Sequence, residues 1–176
     1  MNAKGAYPAI TAAVVIAAVG ALAVLVRQPW LFPSLGPTIF LQVVNPDQPA
    51  SKPWNTFAGH FAGAAAAILA LLLFGALHDQ TAVAGGSLTV GRAAASALAV
   101  GLTIALQQIA QAQHAPAAAT TLLLTLGALQ PNGRTALALA VGVGLVTGLG
   151  EVARLLHPAT IQQRKDDARG GNALPN

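Results

Sequence analysis

The chain has 176 residues, 55% of them apolar and only 8% charged, with no cysteine and a formal charge of +4. A soluble domain carries about 25% charged residues, so a soluble enzyme and a disordered tail protein are both excluded as readings of the whole chain. The nine Lys and Arg are scattered along the chain, with Arg164-Lys165 adjacent in the tail, unlike the basic stripe of a nucleic-acid binder, and without cysteine there is no disulfide framework, thiolate chemistry or Cys-ligated metal.

The first long apolar stretch, Pro8 to Val26, runs for 19 residues without a charge. About 20 apolar residues cross a hydrocarbon core of roughly 30 Å, so a membrane helix is expected here. Lys4 in front of it gives the look of a signal peptide, but no small-x-small cleavage site follows and the helix is expected to be retained. Leu31 to Val44 comes next, 14 residues that begin at proline and threonine punctuation and stop at Asn45-Pro46. Proline tolerates a first helical turn and ends what lies before it, so this is a short helix, too short at about 1.5 Å per residue to span.

The second spanning stretch, Phe57 to Leu77, holds one ionisable residue, His60. The loop His78 to Gly91, with Gly85-Gly86 and a candidate N-cap at Thr89, reads as a flexible joint between halves. Ala93 to Ala110 is the third spanning stretch, and Ala115 to Leu129, closed by Gln130-Pro131, is a second short helix. The fourth stretch, Thr135 to Leu156, is uncharged until Glu151 and Arg154, whose spacing of three allows them to pair on one face. After Pro158 the chain is polar and mixed in sign, a short cytoplasmic tail disordered at its end.

The two halves repeat. Pro33-Ser-Leu-Gly-Pro-Thr38 lies over Pro116-Ala-Ala-Ala-Thr-Thr121 with an offset of 83, which also carries Pro8 to Gly91 and Gly59 to Gly142. The expected fold is therefore an all-α membrane protein. Residues 1–157 form one transmembrane domain of four transmembrane helices plus two short re-entrant half-helices, in pseudo-repeats at about 8–78 and 91–156, followed by the polar tail 158–176. Six crossings, as 3+3, is the alternative. With re-entrant short helices Lys4, Arg92, Arg154, Arg164, Lys165 and Arg169 outnumber Arg27, Lys52 and Arg134 across the bilayer, and with six crossings Lys52 and Arg92 exchange sides and the count is unchanged, which puts both termini in the cytoplasm. A bacterial-type inner (plasma) membrane is the expected location. Non-helical backbone survives at membrane depth only when shielded or lining a wet cavity, so the two short helices are expected to meet near the middle and line one, as at repeat interfaces of transporters.

Phe32-Pro-Ser-Leu-Gly-Pro-Thr-Ile-Phe40, Asn45-Pro46, Lys52-Pro-Trp-Asn55, Gly59-His60 and His114-Ala-Pro-Ala-Ala-Ala-Thr120 together resemble the HPP family of small integral membrane proteins. The family takes its name from a His-Pro-Pro motif followed by Ala-Gly-Ala-Thr, from which this chain departs at Ala115 and Ala118. The resemblance implies transport of nitrite, a small anion whose oxygens only accept hydrogen bonds. A short helix beginning inside the membrane offers unpaired N–H groups and the positive end of its dipole, which favour such an ion. Ser34, Gly36 and Thr38 on the first short helix and His114, Thr120 and Thr121 on the second are the expected donors, with Gly36 allowing close backbone approach. The plainer reading is that the Ser and Thr hydroxyls satisfy carbonyls one turn back.

His60 joins the substrate-binding set because an ionisable side chain inside a span marks a pathway or a partnered interior. His78 and His157 read as boundary residues. Four histidines without a carboxylate cluster make no metal site, and no cofactor is expected. Gly59 with Gly63, and Gly144 with Gly148, have the small-xxx-small spacing of close helix packing, and four helices around a polar path suggest a homo-oligomer. The function expected is a transporter or channel for a small anion in the lipid bilayer, the alternative a non-transporting membrane scaffold or sensor subunit. An enzyme is not expected, because five acids, two of them in the tail, assemble no nucleophile with base and no paired carboxylates.

Overall fold

The computed structural model describes residues 3–83 and 85–156, with residues 3–5 described as backbone only. His157 and the tail 158–176 lie outside the described residues. Every regular element is helical: α1 (Ala3–Leu25), α2 (Leu35–Val44), a one-turn 3-10 segment (Pro49–Ser51), α3 (Pro53–Leu73), α4 (Val90–Ile109), α5 (Ala117–Thr125) and α6 (Gly133–Leu155). Four of them, α1, α3, α4 and α6, are long and apolar enough to cross a membrane. They carry large apolar side chains outward, Val24, Leu25, Val90 and Ile109 among them. This is how a chain with few charges covers itself when hydrocarbon is the solvent.

The helix ends follow local chemistry. Thr89 caps α4 by accepting from the Arg92 N–H, and Asn132 caps α6 by accepting from the Thr135 N–H at 2.9 Å. Pro53 opens α3 at its first turn, where a missing N–H has no intrahelical partner to lose. Glu151 and Arg154 form the expected pair, Arg154 Nε donating to Glu151 Oε2 at 2.9 Å. The short helices are shorter than the apolar stretches that announced them. Their first turns begin at Leu35 and Ala117, and α5 stops at Thr125, so that α2 and α5 measure only about 15 and 14 Å.

The helices pack in a matching order in the two halves of the chain. Half-helix α2 sits on α1 and α6, while α5 sits on α4 and α3; α1 packs on α6 as α4 packs on α3, and α3 meets α6 between the halves. Each half-helix is thus held by the first long helix of its own half and the last of the other. Around α2 the filling is apolar: Val15 and Val19 of α1, Leu35, Ile39 and Val43 of α2, and Leu139, Val143 and Val146 of α6 form the main core, with Phe32.

The loop between halves is not free. Ala82 N–H donates to the Leu126 carbonyl at 2.9 Å and the Thr81 hydroxyl donates to the same oxygen at 3.3 Å. Arg92 completes the tie and is itself 2% exposed, its Nε, Nη1 and Nη2 donating to the carbonyls of Gln80, Thr125 and Asp79 at 2.8, 2.6 and 2.7 Å. The guanidinium fits because Gly127, at φ +81, has no Cβ to strike it. The segment expected as a flexible joint therefore caps the C-terminus of α5, and Arg92 is no loop charge.

Candidate functional site

The two short helices, α2 and α5, meet at their first turns and cover each other there. Ser34, the N-cap of α2, lies 2.7 Å from Thr120 in the first turn of α5. Thr38, one turn further along α2, lies 3.2 Å from Nε2 of His114, which leads into α5. His60 reaches from α3 into the gap, with Nδ1 at 2.8 Å from the Thr120 hydroxyl and Nε2 at 3.1 Å from that of Thr38. The two imidazoles stand 5.0 Å apart, centre to centre, at 60°. At the far end His114 Nδ1 donates to the Ala50 carbonyl at 2.7 Å. Ser34, Thr38, His114 and Thr120 are wholly buried and His60 is 2% exposed.

Glycine makes this approach possible. A Cβ on Gly59 would lie 2.6 Å from the His114 Cβ, and one on Gly63 would lie 2.7 Å from Thr121 Oγ1 and 2.9 Å from the Ala117 carbonyl. The small-xxx-small stripe of α3 is therefore the seat of α5, placed within the chain. In α6 the tight glycines are Gly142, against the Trp30 carbonyl and Phe32, and Gly150, against Gln42. A Cβ on Gly144 would meet only Phe57, at 3.7 Å, and one on Gly148 nothing within 4 Å, so within the chain the close contacts fall to Gly142 and Gly150.

The lead into α5 is clamped from both sides. Gln107 of α4 accepts from the His114 N–H at 3.0 Å and donates to the His114 carbonyl at 3.2 Å. Asn55 of α3 donates to the Gln113 carbonyl at 3.1 Å. Both ring and backbone of His114 are thereby fixed, which gives its Nε2 one direction to point.

Five of the residues expected to bind, Ser34, Thr38, His60, His114 and Thr120, converge in this one cluster. Thr121 belongs to a second layer, bonded across 2.9 Å to Thr103 of α4 and donating to the Ala117 carbonyl at 3.1 Å. Gly36 is not brought in: it is exposed, and a Cβ there would meet nothing within 4 Å, so no close backbone approach calls for glycine. The expectation of unpaired N–H groups at the half-helix starts is also corrected. Leu35 and Gly36 N–H donate to the carbonyls of Phe32 and Pro33, and Ala117, Ala118 and Ala119 N–H to those of His114, Ala115 and Pro116. A tight opening turn consumes them, leaving the dipole and the side chains to do any recognition. An open cleft of about 390 Å³ lies beside Pro29, Phe32, Gln130 and Arg134, and its lining includes none of the five clustered residues.

The sequence assigned no place in or beside the cluster to Gln107, Thr103, Asn55 or Arg92. The signals were there in part. Gln107 is an amide within an apolar span, and Arg92 is a cation in a first helical turn, where the dipole disfavours it unless something else holds it. Among the described residues no three of His, Asp and Glu gather as a metal-holding group.

No curated protein and no solved structure matches the chain significantly. The sequence does match the family model described as HPP, transmembrane region, over residues 3–146. That range runs from α1 into α6 and includes every residue of the cluster. With four apolar spans, two half-helices and the His114 segment at their junction, this protein belongs to the HPP family of membrane proteins.

Proposed function

We propose that this protein carries a small inorganic anion across the membrane, nitrite by resemblance to its family, and that the anion passes between the first turns of α2 and α5. One observation carries the reading: three hydroxyls and two imidazoles, with no carboxylate among them, are buried where two half-helix N-termini meet. An ion with acceptor oxygens needs donors only, and Ser, Thr and His can all turn a donor towards it. Both half-helix dipoles present their positive ends at the same place, which favours negative charge. With the opening backbone N–H groups already in use, the ligands are the side chains of Ser34, Thr38, His60, His114 and Thr120.

In this reading α2 and α5 are re-entrant and the exposed apolar faces of α1 and α4 meet lipid or a second copy of the chain. Both termini lie in the cytoplasm. The anion enters when the two first turns part, since in the closed arrangement their side chains satisfy one another.

Uptake of sodium nitrite into proteoliposomes tests this. Replacing Thr120 or Ser34 with Ala removes one bond to a charged species, worth about 1.5–3 kcal/mol, so uptake should fall by roughly tenfold or more. Uptake no faster than in protein-free liposomes, or unchanged in both variants, would overturn the proposal.

A further inference from the structure

Counting donors and acceptors fixes where the protons of the cluster sit. The Ala50 carbonyl can only accept, so His114 Nδ1 carries a proton. With the ring neutral, His114 Nε2 is bare and must accept, and the group in reach is the Thr38 hydroxyl at 3.2 Å. Thr38 has one proton to give, so its oxygen accepts from His60, whose proton is on Nε2. His60 Nδ1 then accepts from Thr120, and Thr120 accepts from Ser34. The chain closes in one direction throughout, with the Thr38 proton given to His114 and not to the Ser34 carbonyl.

A second arrangement closes as well. The Thr38 hydroxyl also lies 2.9 Å from the Ser34 carbonyl. If it turns to donate there, both lone pairs on its oxygen face the rings, and both Nε2 atoms can carry protons. His114 is then an imidazolium, donating to Ala50 and to Thr38, and no bond has been lost. The two arrangements differ by one proton and one hydroxyl rotation. A second added proton would place two cations 5.0 Å apart in a buried site, which Coulomb repulsion opposes.

Among the described residues the surroundings supply no other partner for that proton. Neither α2 nor α5 carries an ionisable side chain, and His60 is the one on α3. On α4, Arg92 is bound to carbonyls at the opposite end of α5 from His114. Glu151 and Arg154 of α6 pair with each other, and Lys52, ahead of α3, donates to the Pro46 carbonyl. Asp47 is exposed. At the Ala50 end the chain reaches the surface, where Ala50 is partly exposed and Gln48 and Pro49 are exposed.

We propose that Thr38 is a two-position switch through which the His60–His114 pair takes up one proton from water without losing a hydrogen bond, and that this proton crosses with the anion. The second half rests on the transport reading above; the first does not. Nothing in the anion is made or broken: one proton and one negative charge enter together on one side and leave together on the other, so that no net charge moves.

Solid-state NMR of the protein in bilayers, with histidine labelled in nitrogen-15, tests the switch without any anion. Two neutral tautomers of opposite kind are expected, the proton on Nδ1 of His114 and on Nε2 of His60, with one ring becoming doubly protonated on acidification. Thr38→Val leaves the imidazolium without its acceptor and should lower the midpoint of that change by about 1 to 2 pH units, from the worth of a bond to a charged group. Thr38→Ser keeps the hydroxyl and should titrate like the parent. Like tautomers on both rings in the parent protein, or a Val variant titrating as the parent does, overturn the switch; the tautomer measurement stands even if the Val variant does not fold. A second arm follows sodium nitrite and proton uptake into proteoliposomes, corrected by protein-free liposomes for nitrous acid crossing lipid. One proton per nitrite, and a rate indifferent to membrane potential, are expected. Nitrite uptake driven by potential without protons overturns the coupling, whereas a correct NMR result with no nitrite uptake overturns the transport reading and leaves the switch intact.

Discussion

The two half-helices occupy equivalent places and rest on very different beds. Helix α2 lies on α1 and α6 against valine, leucine and isoleucine; helix α5 lies on α4 and α3 against Gln107, Thr103, His60 and bare glycine. The repeat offset of 83 pairs Thr38 with Thr121, and each hydroxyl lies within hydrogen-bond reach of the carbonyl four residues back, Ser34 and Ala117, at 2.9 and 3.1 Å. Yet the oxygen of Thr38 meets two imidazoles and that of Thr121 one hydroxyl. The same offset sets His60 against Val143, His114 against Leu31 and Thr103 against Gly20. One architecture therefore carries two fillings: apolar packing fixes one half-helix by shape, and directed hydrogen bonds fix the other. Only the second kind can change state when a proton or an anion arrives.

The C-terminal ties of the two half-helices give the largest expected difference. Helix α5 is held by a buried cation, and Arg92→Ala would strand the carbonyls of Gln80, Thr125 and Asp79, each bond to a charged donor being worth about 1.5–3 kcal/mol. The variant should fail to fold, seen as loss of a monodisperse peak in detergent. Next, Gly59→Ala drives a methyl into His114, and overpacking of about 1–3 kcal/mol should lower the thermal midpoint and uptake together. The C-terminal end of α2 is tied by Ser51, whose hydroxyl donates to the carbonyls of Leu41 and Asn45. Ser51→Ala should therefore cost about 1 kcal/mol, read as a modest drop in thermal midpoint. If it costs as much as Arg92→Ala, the contrast between the two ties is wrong. Smallest of all, Gln42→Leu removes a buried amide oxygen that has no partner from the apolar bed, and should leave stability unchanged or raise it by up to about 1 kcal/mol. A clear loss would mean that Gln42 has a polar partner to lose, as His60 does.

Much of this was legible in one dimension. Long uncharged runs announced α1, α3, α4 and α6, because a hydrocarbon core sets a minimum length that the residues either meet or miss. The prolines at Asn45-Pro46 and Gln130-Pro131 announced that α2 and α5 would stop short. Ser34, Thr38, His60, His114 and Thr120 could be picked out because polar side chains within apolar stretches are costly unless they have partners. The excess of Gly36 and the displacement of Thr121 were not legible, since which face of a short helix turns inward depends on what it lies against.

Length, apolarity and proline placement determined the class, the number of long helices and the pair of short ones, because these are properties of the chain against its solvent and need no knowledge of neighbours. Tertiary structure alone decided that the opening N–H groups would be spent in tight turns, that Gly59 and Gly63 would seat α5, and that Arg92 would close its far end. It also decided that Thr38 would stand between two histidines from distant parts of the chain. Hydrogen bonds act over about 3 Å, and a sequence records spacing along the backbone but not which residues come within that distance across it.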